Sequence, residues 1–155
     1  YDINWRKLKK SKIIIFSPGP GNPSNYPETQ KVYNKYKGNK KIIGICLGFQ
    51  QILYAENADI VPQKKIYHGY QSKIKTLKES ALFKPNKVFL AGRYHSLKLK
   101  EPFNSLSLKI TMRCVESNVA MAIEDTINNV YGFQFHPDSF LTVDGKFLIQ
   151  KVLQF

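Results

Sequence analysis

Apolar and polar positions change rhythm along the chain. In the first third, short β-branched runs are separated by amphipathic stretches. Lys12-Ile13-Ile14-Ile15-Phe16 predicts a buried strand, stopped by Ser17-Pro18-Gly19-Pro20-Gly21. Residues 22–25 read as loop. Pro27 suits the first turn of a helix carrying Val32, Tyr33 and Tyr36 at helical spacing, with Gly38 at its end. Lys41-Ile42-Ile43-Gly44-Ile45 predicts a second buried strand running into Cys46-Leu47-Gly48, and residues 50–56 read as helix. This alternation is the βαβ pattern of a parallel sheet with right-handed crossovers.

From residue 65 onward the period shortens. Segments 65–67, 72–77, 87–90, 106–112, 120–123 and 130–135 read as short strands, several with alternating polarity. Alternation means one wet face, hence an antiparallel extension or side sheet. Residues 145–155 close as a helix with Phe147, Leu148, Val152 and Leu153 on one stripe. With no repeat, linker or low-complexity tract, the expectation is one mixed α/β domain over residues 1–155.

Composition narrows the functional classes. The 155 residues are 43% apolar and 23% charged, ordinary for a globular protein. No apolar run approaches the roughly 20 residues that span a bilayer, and Tyr1 to Lys7 lacks the apolar core of a leader. Cys46 and Cys114 make neither a disulfide framework nor a metal-ligand spacing, which favours a reducing, cytoplasmic setting and no metal site. The formal charge of +13 raises nucleic-acid binding as a class. The lysines are spread over almost every segment, so the charge argues weakly for an RNA interface and no more strongly for a membrane surface.

Gly44-Ile45-Cys46-Leu47-Gly48 has the spacing of a nucleophile elbow with Cys in place of Ser. A sharp strand-to-helix turn lifts the side chain above the sheet edge. The flanking glycines remove side chains that would clash, the helix N-terminus favours thiolate, and the Leu47 N–H is free for a developing oxyanion. A thiol nucleophile needs a base, and the base an orienter. Of His68, His95 and His136, the last follows the apolar strand end Phe133-Gln134-Phe135. If its strand runs parallel to that of Cys46, both project from one sheet edge. Pro137 turns the chain, and Asp138 is placed to hold the imidazole nitrogen that does not face sulfur. Gly19-Pro20-Gly21 makes a rigid loop that a ligand can approach closely.

These segments, together with His68-Gly69, Arg93-Tyr94-His95-Ser96-Leu97 and Gly132 to Ser139, resemble the class I (triad) glutamine amidotransferases in order and spacing over nearly the whole chain. They look most like the small subunits of anthranilate synthase and aminodeoxychorismate synthase. The resemblance implies a flavodoxin-like mixed, mostly parallel sheet with flanking helices and a small antiparallel side sheet. It implies hydrolysis of L-glutamine by Cys46, His136 and Asp138. Gly19, Pro20, Gly21, Leu47, Gln50, Ser96 and Leu97 would bind the substrate. The implied partner is a chorismate-binding large subunit; the chain itself would carry no cofactor, and Mg²⁺ would belong to the partner.

Three departures from the family pattern bear on activity. Its third triad member is Glu; Asp138 is one methylene shorter, so its carboxylate falls roughly 1.5 Å short unless the backbone shifts or water bridges. Phe49 stands where a His is usual, and Glu56-Asn57-Ala58 replaces a Gly-rich turn. The family's first strand and helix are expected before Tyr1; a sheet without them would expose an open edge. The rival expectations are a stand-alone γ-glutamyl hydrolase, a basic RNA-binding module and a catalytically weakened or inactive amidotransferase-like binding subunit.

Overall fold

A computed structural model describes residues 3–155; Tyr1 and Asp2, at the head of the segment expected to hold no leader, lie outside them. The elements follow as α1 (Trp5–Lys10), β1 (Ile13–Phe16), a 3-10 turn (Pro23–Asn25), α2 (Pro27–Tyr36), β2 (Lys41–Ile45), α3 (Leu47–Ala55), β3 (Ile60–Pro62), β4 (Tyr70–Thr76), β5 (Val88–Arg93), β6 (Leu97–Leu99), β7 (Lys109–Cys114), β8 (Ala120–Asp125), β9 (Val130–Phe133) and α4 (Gly145–Gln154).

Seven strands form one mixed sheet in the order β1-β2-β9-β8-β7-β4-β5, and β3 pairs with β6 in a small antiparallel side sheet. The parallel pairings are β1 with β2 and β2 with β9; the second half of the chain continues the same sheet antiparallel. Segment 65–67, expected as a strand, is irregular. Its Tyr67 is pinned instead by a bond to the His95 carbonyl, while Gly69 bonds that of Arg93.

The core has one cluster on each sheet face. Ile14, Phe16 and Ile42 pack with Val32 and Tyr33 of α2 and Phe49, Ile52 and Leu53 of α3. On the other face Ile43, Tyr131 and Phe133 pack with Leu148 and Val152 of α4. Successive residues of β2 therefore enter opposite clusters, which is why that strand reads as a continuous apolar run rather than an alternation. Edge strand β1 buries Ile14 and Phe16 but leaves Ile13 and Ile15 exposed. Among the described residues no helix is long and apolar enough to cross a membrane.

Helix α3 lies against the ends of β1 and β2 because Gly48 lets it. A Cβ on Gly48 would stand 2.0 Å from the Phe16 carbonyl oxygen, and one on Gly44 would stand 2.5 Å from the Gly48 carbonyl. Both are contacts with backbone, which cannot rotate away. Gly48→Ala should therefore destabilise the fold by about 3 kcal/mol or more. Chemical denaturation checks this; unchanged stability, or the gain of about 1 kcal/mol that an exposed helix glycine would give, contradicts the packing.

Candidate active site

Cys46 links β2 to α3 with φ 54° and ψ −103°, a left-handed conformation for a residue with a side chain. Such strain persists only where the surroundings enforce it. Here the Cys46 N–H bonds the Phe133 carbonyl at 2.8 Å, continuing the parallel β2–β9 ladder, while Gly48 docks the helix immediately after. The turn lifts the sulfur over the sheet edge, where it lines two adjoining cavities.

The larger cavity, about 430 Å³, is lined by Gly19, Cys46, Tyr94, His136, Asp138 and Phe140, among others. The parallel β2–β9 pairing carries His136 to the same edge as Cys46. His136 is clamped through its backbone: its N–H donates to Gly92 O at 2.9 Å, and its carbonyl accepts the Thr142 hydroxyl at 2.7 Å. That hydroxyl in turn accepts the Gly92 N–H at 2.9 Å. A Cβ on Gly145 would fall 1.8 Å from the Pro137 carbonyl oxygen, so only glycine lets α4 start against this turn. The Tyr94 ring meets the imidazole edge-on at 5.0 Å between centroids, and its hydroxyl pairs with Ser139 Oγ at 3.0 Å.

His136 Nδ1 faces Asp138 Oδ1 at 3.4 Å. That is longer than a well-formed hydrogen bond, and the Asp138 side chain is 63% exposed. The contact is long, as a shortened acid would make it, and becomes an ion pair only when the imidazole is protonated. With Nδ1 turned to Asp138, Nε2 is the nitrogen left for sulfur. The thiol itself donates to the Tyr94 carbonyl at 3.8 Å and makes no hydrogen bond to His136. Burial pushes the Cys46 thiol up to about 11 and the Asp138 charge adds to the rise, against a pull downward from the Leu47 N–H. Desolvation is the largest influence on this thiol and outweighs the Leu47 N–H.

The smaller cavity, about 190 Å³, is lined by Gly19, Pro20, Gly21, Cys46, Leu47, Gln50, Ser96 and Leu97, with His68, Tyr94 and His95. All seven residues expected at a substrate pocket meet there. The Gly19–Gly21 loop is held by the Tyr26 hydroxyl on Pro20 O at 2.7 Å, and Gly21 takes φ +83°. The Leu97 carbonyl is already occupied, accepting Gln50 Nε2 at 3.3 Å and His95 Nδ1 at 2.8 Å. Among the described residues no group of three or more His, Cys, Asp or Glu is arranged to hold a metal.

Arg93, Tyr94 and Gln134 lie in segments that carry the resemblance, but sequence alone assigns none of them a role. Arg93 is fully buried, lies over the Tyr67 ring at 3.5 Å from its centroid, and donates from Nε to His95 Nε2 at 3.0 Å. Phe49 is fully buried in the core, packing where a Cβ on Gly132 would meet its ring at 3.2 Å. It takes no part in either cavity.

The family model for class-I glutamine amidotransferases matches residues 1–154. The chain belongs to this family. Among its relatives, anthranilate synthase component 2 of Lactococcus lactis is 35% identical over 92% of the chain and 72% of its own length. The same component of Cyanidium caldarium is 35% identical over 98% and 81%, and that of Pyropia yezoensis 39% over 97% and 79%. In fold, the amidotransferase is similar to a Thermoplasma acidophilum protein described as part of a GMP synthase, with TM-score 0.82 and 19% identity over 99% of the chain and 76% of that structure. A glutamine amidotransferase from Methylobacillus flagellatus gives TM-score 0.72 and 14% identity over 85% and 54%.

His95 gives a pH test of this architecture. Burial, with Arg93 and His136 nearby, lowers its pKa to about 4 despite the Leu97 carbonyl. The unfolded chain takes up this proton near pH 6.5 and the folded chain only near 4, so stability falls with pH across that window and levels below it. The loss is at most about 3 kcal/mol. His95→Gln should flatten that part of a stability–pH curve; an unchanged slope contradicts the neutral, buried imidazole.

Proposed function

We propose that this chain hydrolyses glutamine to glutamate and ammonia for a chorismate-using synthase, in anthranilate or 4-amino-4-deoxychorismate formation. The observation that carries the reading is the double placement of Cys46. One cavity joins its sulfur to His136 and Asp138, and the other to Gly19–Gly21, Leu47, Gln50 and Leu97. Nucleophile, base and amino-acid pocket thus share one atom. The relatives named above support the anthranilate branch.

In the proposed reaction glutamine enters the smaller cavity, its α-amino and carboxylate groups toward Gln50, Ser96 and Leu97. Approach to sulfur lets His136 Nε2 take the thiol proton, which the raised pKa otherwise keeps in place. Thiolate attacks the side-chain amide carbon. The Leu47 N–H and an N–H of the Gly19–Gly21 loop receive the oxyanion. The imidazolium, steadied by Asp138, protonates the departing nitrogen, and ammonia leaves a glutamyl thioester on Cys46. His136 then activates water, glutamate departs and the thiol is restored. Ammonia passes to the partner synthase, which would also carry the Mg²⁺. Phe140, 88% exposed at the cavity rim, suits a contact with that partner.

A diazoketone analogue of glutamine tests the nucleophile. One adduct, mapped to Cys46, suppressed by glutamine and lost in Cys46→Ser, is expected. No adduct even with the synthase partner present contradicts the reading and favours a binding subunit without catalysis. The same assay separates a stand-alone hydrolase, whose glutaminase rate would not respond to the partner.

The second reading, a weakened catalyst, is favoured by the 3.4 Å His136–Asp138 contact and the absent thiol–imidazole bond. Asp138→Glu should raise glutaminase kcat about tenfold, equivalent to improving one hydrogen bond by ~1.4 kcal/mol. An unchanged or lower kcat contradicts the suboptimal orienter. His136→Ala should cost about 10²–10⁴ in kcat.

A further inference from the structure

Gln134 follows β9 and is fully buried. Its backbone N–H is used by Met121 O at 2.9 Å, so the side-chain amide serves something else. Oε1 accepts from Gln50 Nε2 at 3.0 Å, and Nε2 is directed at Cys46 Sγ at 4.0 Å.

The orientation of that amide follows from the acceptors around it. The Leu97 carbonyl can only accept, so the end of Gln50 facing it is the NH₂. The same nitrogen faces Gln134, which must therefore turn its oxygen to Gln50 and its NH₂ to sulfur. Arg93 reinforces the arrangement from the far side. A guanidinium only donates, so His95 Nε2 accepts, Nδ1 carries the proton, and that proton goes to the same Leu97 carbonyl. Arg93 makes no ion pair with a carboxylate among the described residues. Its other donors reach Ser72 Oγ at 3.4 Å, Cys114 Sγ at 3.5 Å and Gln63 Oε1 at 3.3 Å. With both Nε2 hydrogens committed, Gln50 has its Oε1 left for the smaller cavity.

We propose that Gln134 is a positioning residue whose single amide holds the Cys46 sulfur at one end and the substrate-facing Gln50 at the other. The assignment rests on Cys46 being the nucleophile. It adds a second neutral donor beside the Leu47 N–H, in a buried place where the thiol hydrogen goes to the Tyr94 carbonyl and the nearest acid opposes ionisation. Hydrogen bonds to an anion are stronger than those to its neutral form, so the donor favours thiolate. The titratable groups lining the two cavities around this sulfur are Tyr94, His136, Asp138, His68 and His95. Gln134 is uncharged, lines neither cavity, and reaches the smaller one only through Gln50.

The test is the pH profile of Cys46 alkylation by iodoacetamide, with KM for glutamine, in wild type, Gln134→Met and Gln134→Glu. Gln134→Met should move the alkylation midpoint upward by about one unit, a tenfold loss of thiolate at fixed lower pH, and should raise KM. Gln134→Glu keeps an acceptor for Gln50, so KM should stay near wild type while the midpoint rises further. A residue that only fills space would lower stability or amplitude without moving the midpoint; a wild-type midpoint in folded Gln134→Met overturns the assignment. The intact chain gives a check that needs no Gln134 variant. The carbon NMR signal of Gln134 Cδ should titrate with the alkylation midpoint and lose that titration in Cys46→Ser; a signal flat through the midpoint overturns the assignment. Labelling of wild type by the glutamine analogue distinguishes the two failures. A labelled wild type with unmoved midpoints removes Gln134 alone, whereas an unlabelled one removes the nucleophile and this assignment together.

Discussion

Everything at the site depends on how closely α3 approaches the ends of β1 and β2. The missing side chain at Gly48 allows contact with the Phe16 carbonyl. Two residues earlier, Cys46 makes the strand-to-helix turn at φ 54°. The strain is repaid by two core clusters that lock β2 from both sheet faces. Sulfur is thus placed by packing that has nothing to do with chemistry, and is placed where the parallel neighbour β9 delivers His136.

The electrostatics then set a trade. A buried sulfur beside an acid is hard to ionise, and burial dominates over the Leu47 N–H. A thiol that is hard to ionise is also slower to oxidise or alkylate, since thiolate is the reactive form. In the proposed reaction, activation comes with substrate or partner, through the imidazole and the amide donors around the sulfur. Asp138, exposed and 3.4 Å from His136, holds the imidazole only loosely. The strong braces are in the backbone: Gly92, Thr142 and the glycine start of α4 hold the residue that Asp138 only steadies.

Much of this was legible in sequence, for identifiable reasons. β1, β2, α2 and α4 showed themselves because β-branched runs, a helical stripe and Pro or Gly punctuation agreed at each. The meeting of Cys46 with Gly19–Gly21 and Gln50 followed from the elbow and the family resemblance. What was hidden is long-range or short. α1 has six residues and buries none of them, so it has no apolar stripe to read. β3 and β6 are three residues each and exist only through each other. α3 was expected from residue 50, but it begins at Leu47, because a glycine that reads locally as a turn is here a helix contact. Segment 65–67 looked like a strand because Tyr67 is apolar for another purpose, stacking beneath Arg93 and His95. The Arg93–His95–Leu97–Gln50–Gln134 chain joins residues up to 84 positions apart at a single hydrogen bond, which no local pattern announces.

The most direct measurement is mass mapping of the protein quenched in acid during glutamine turnover, with the proposed synthase partner present. The account predicts a glutamyl thioester on the peptide containing Cys46 and an unmodified Cys114. Glutamate release with no such adduct at any quench time, or undiminished release by Cys46→Ser, would contradict it.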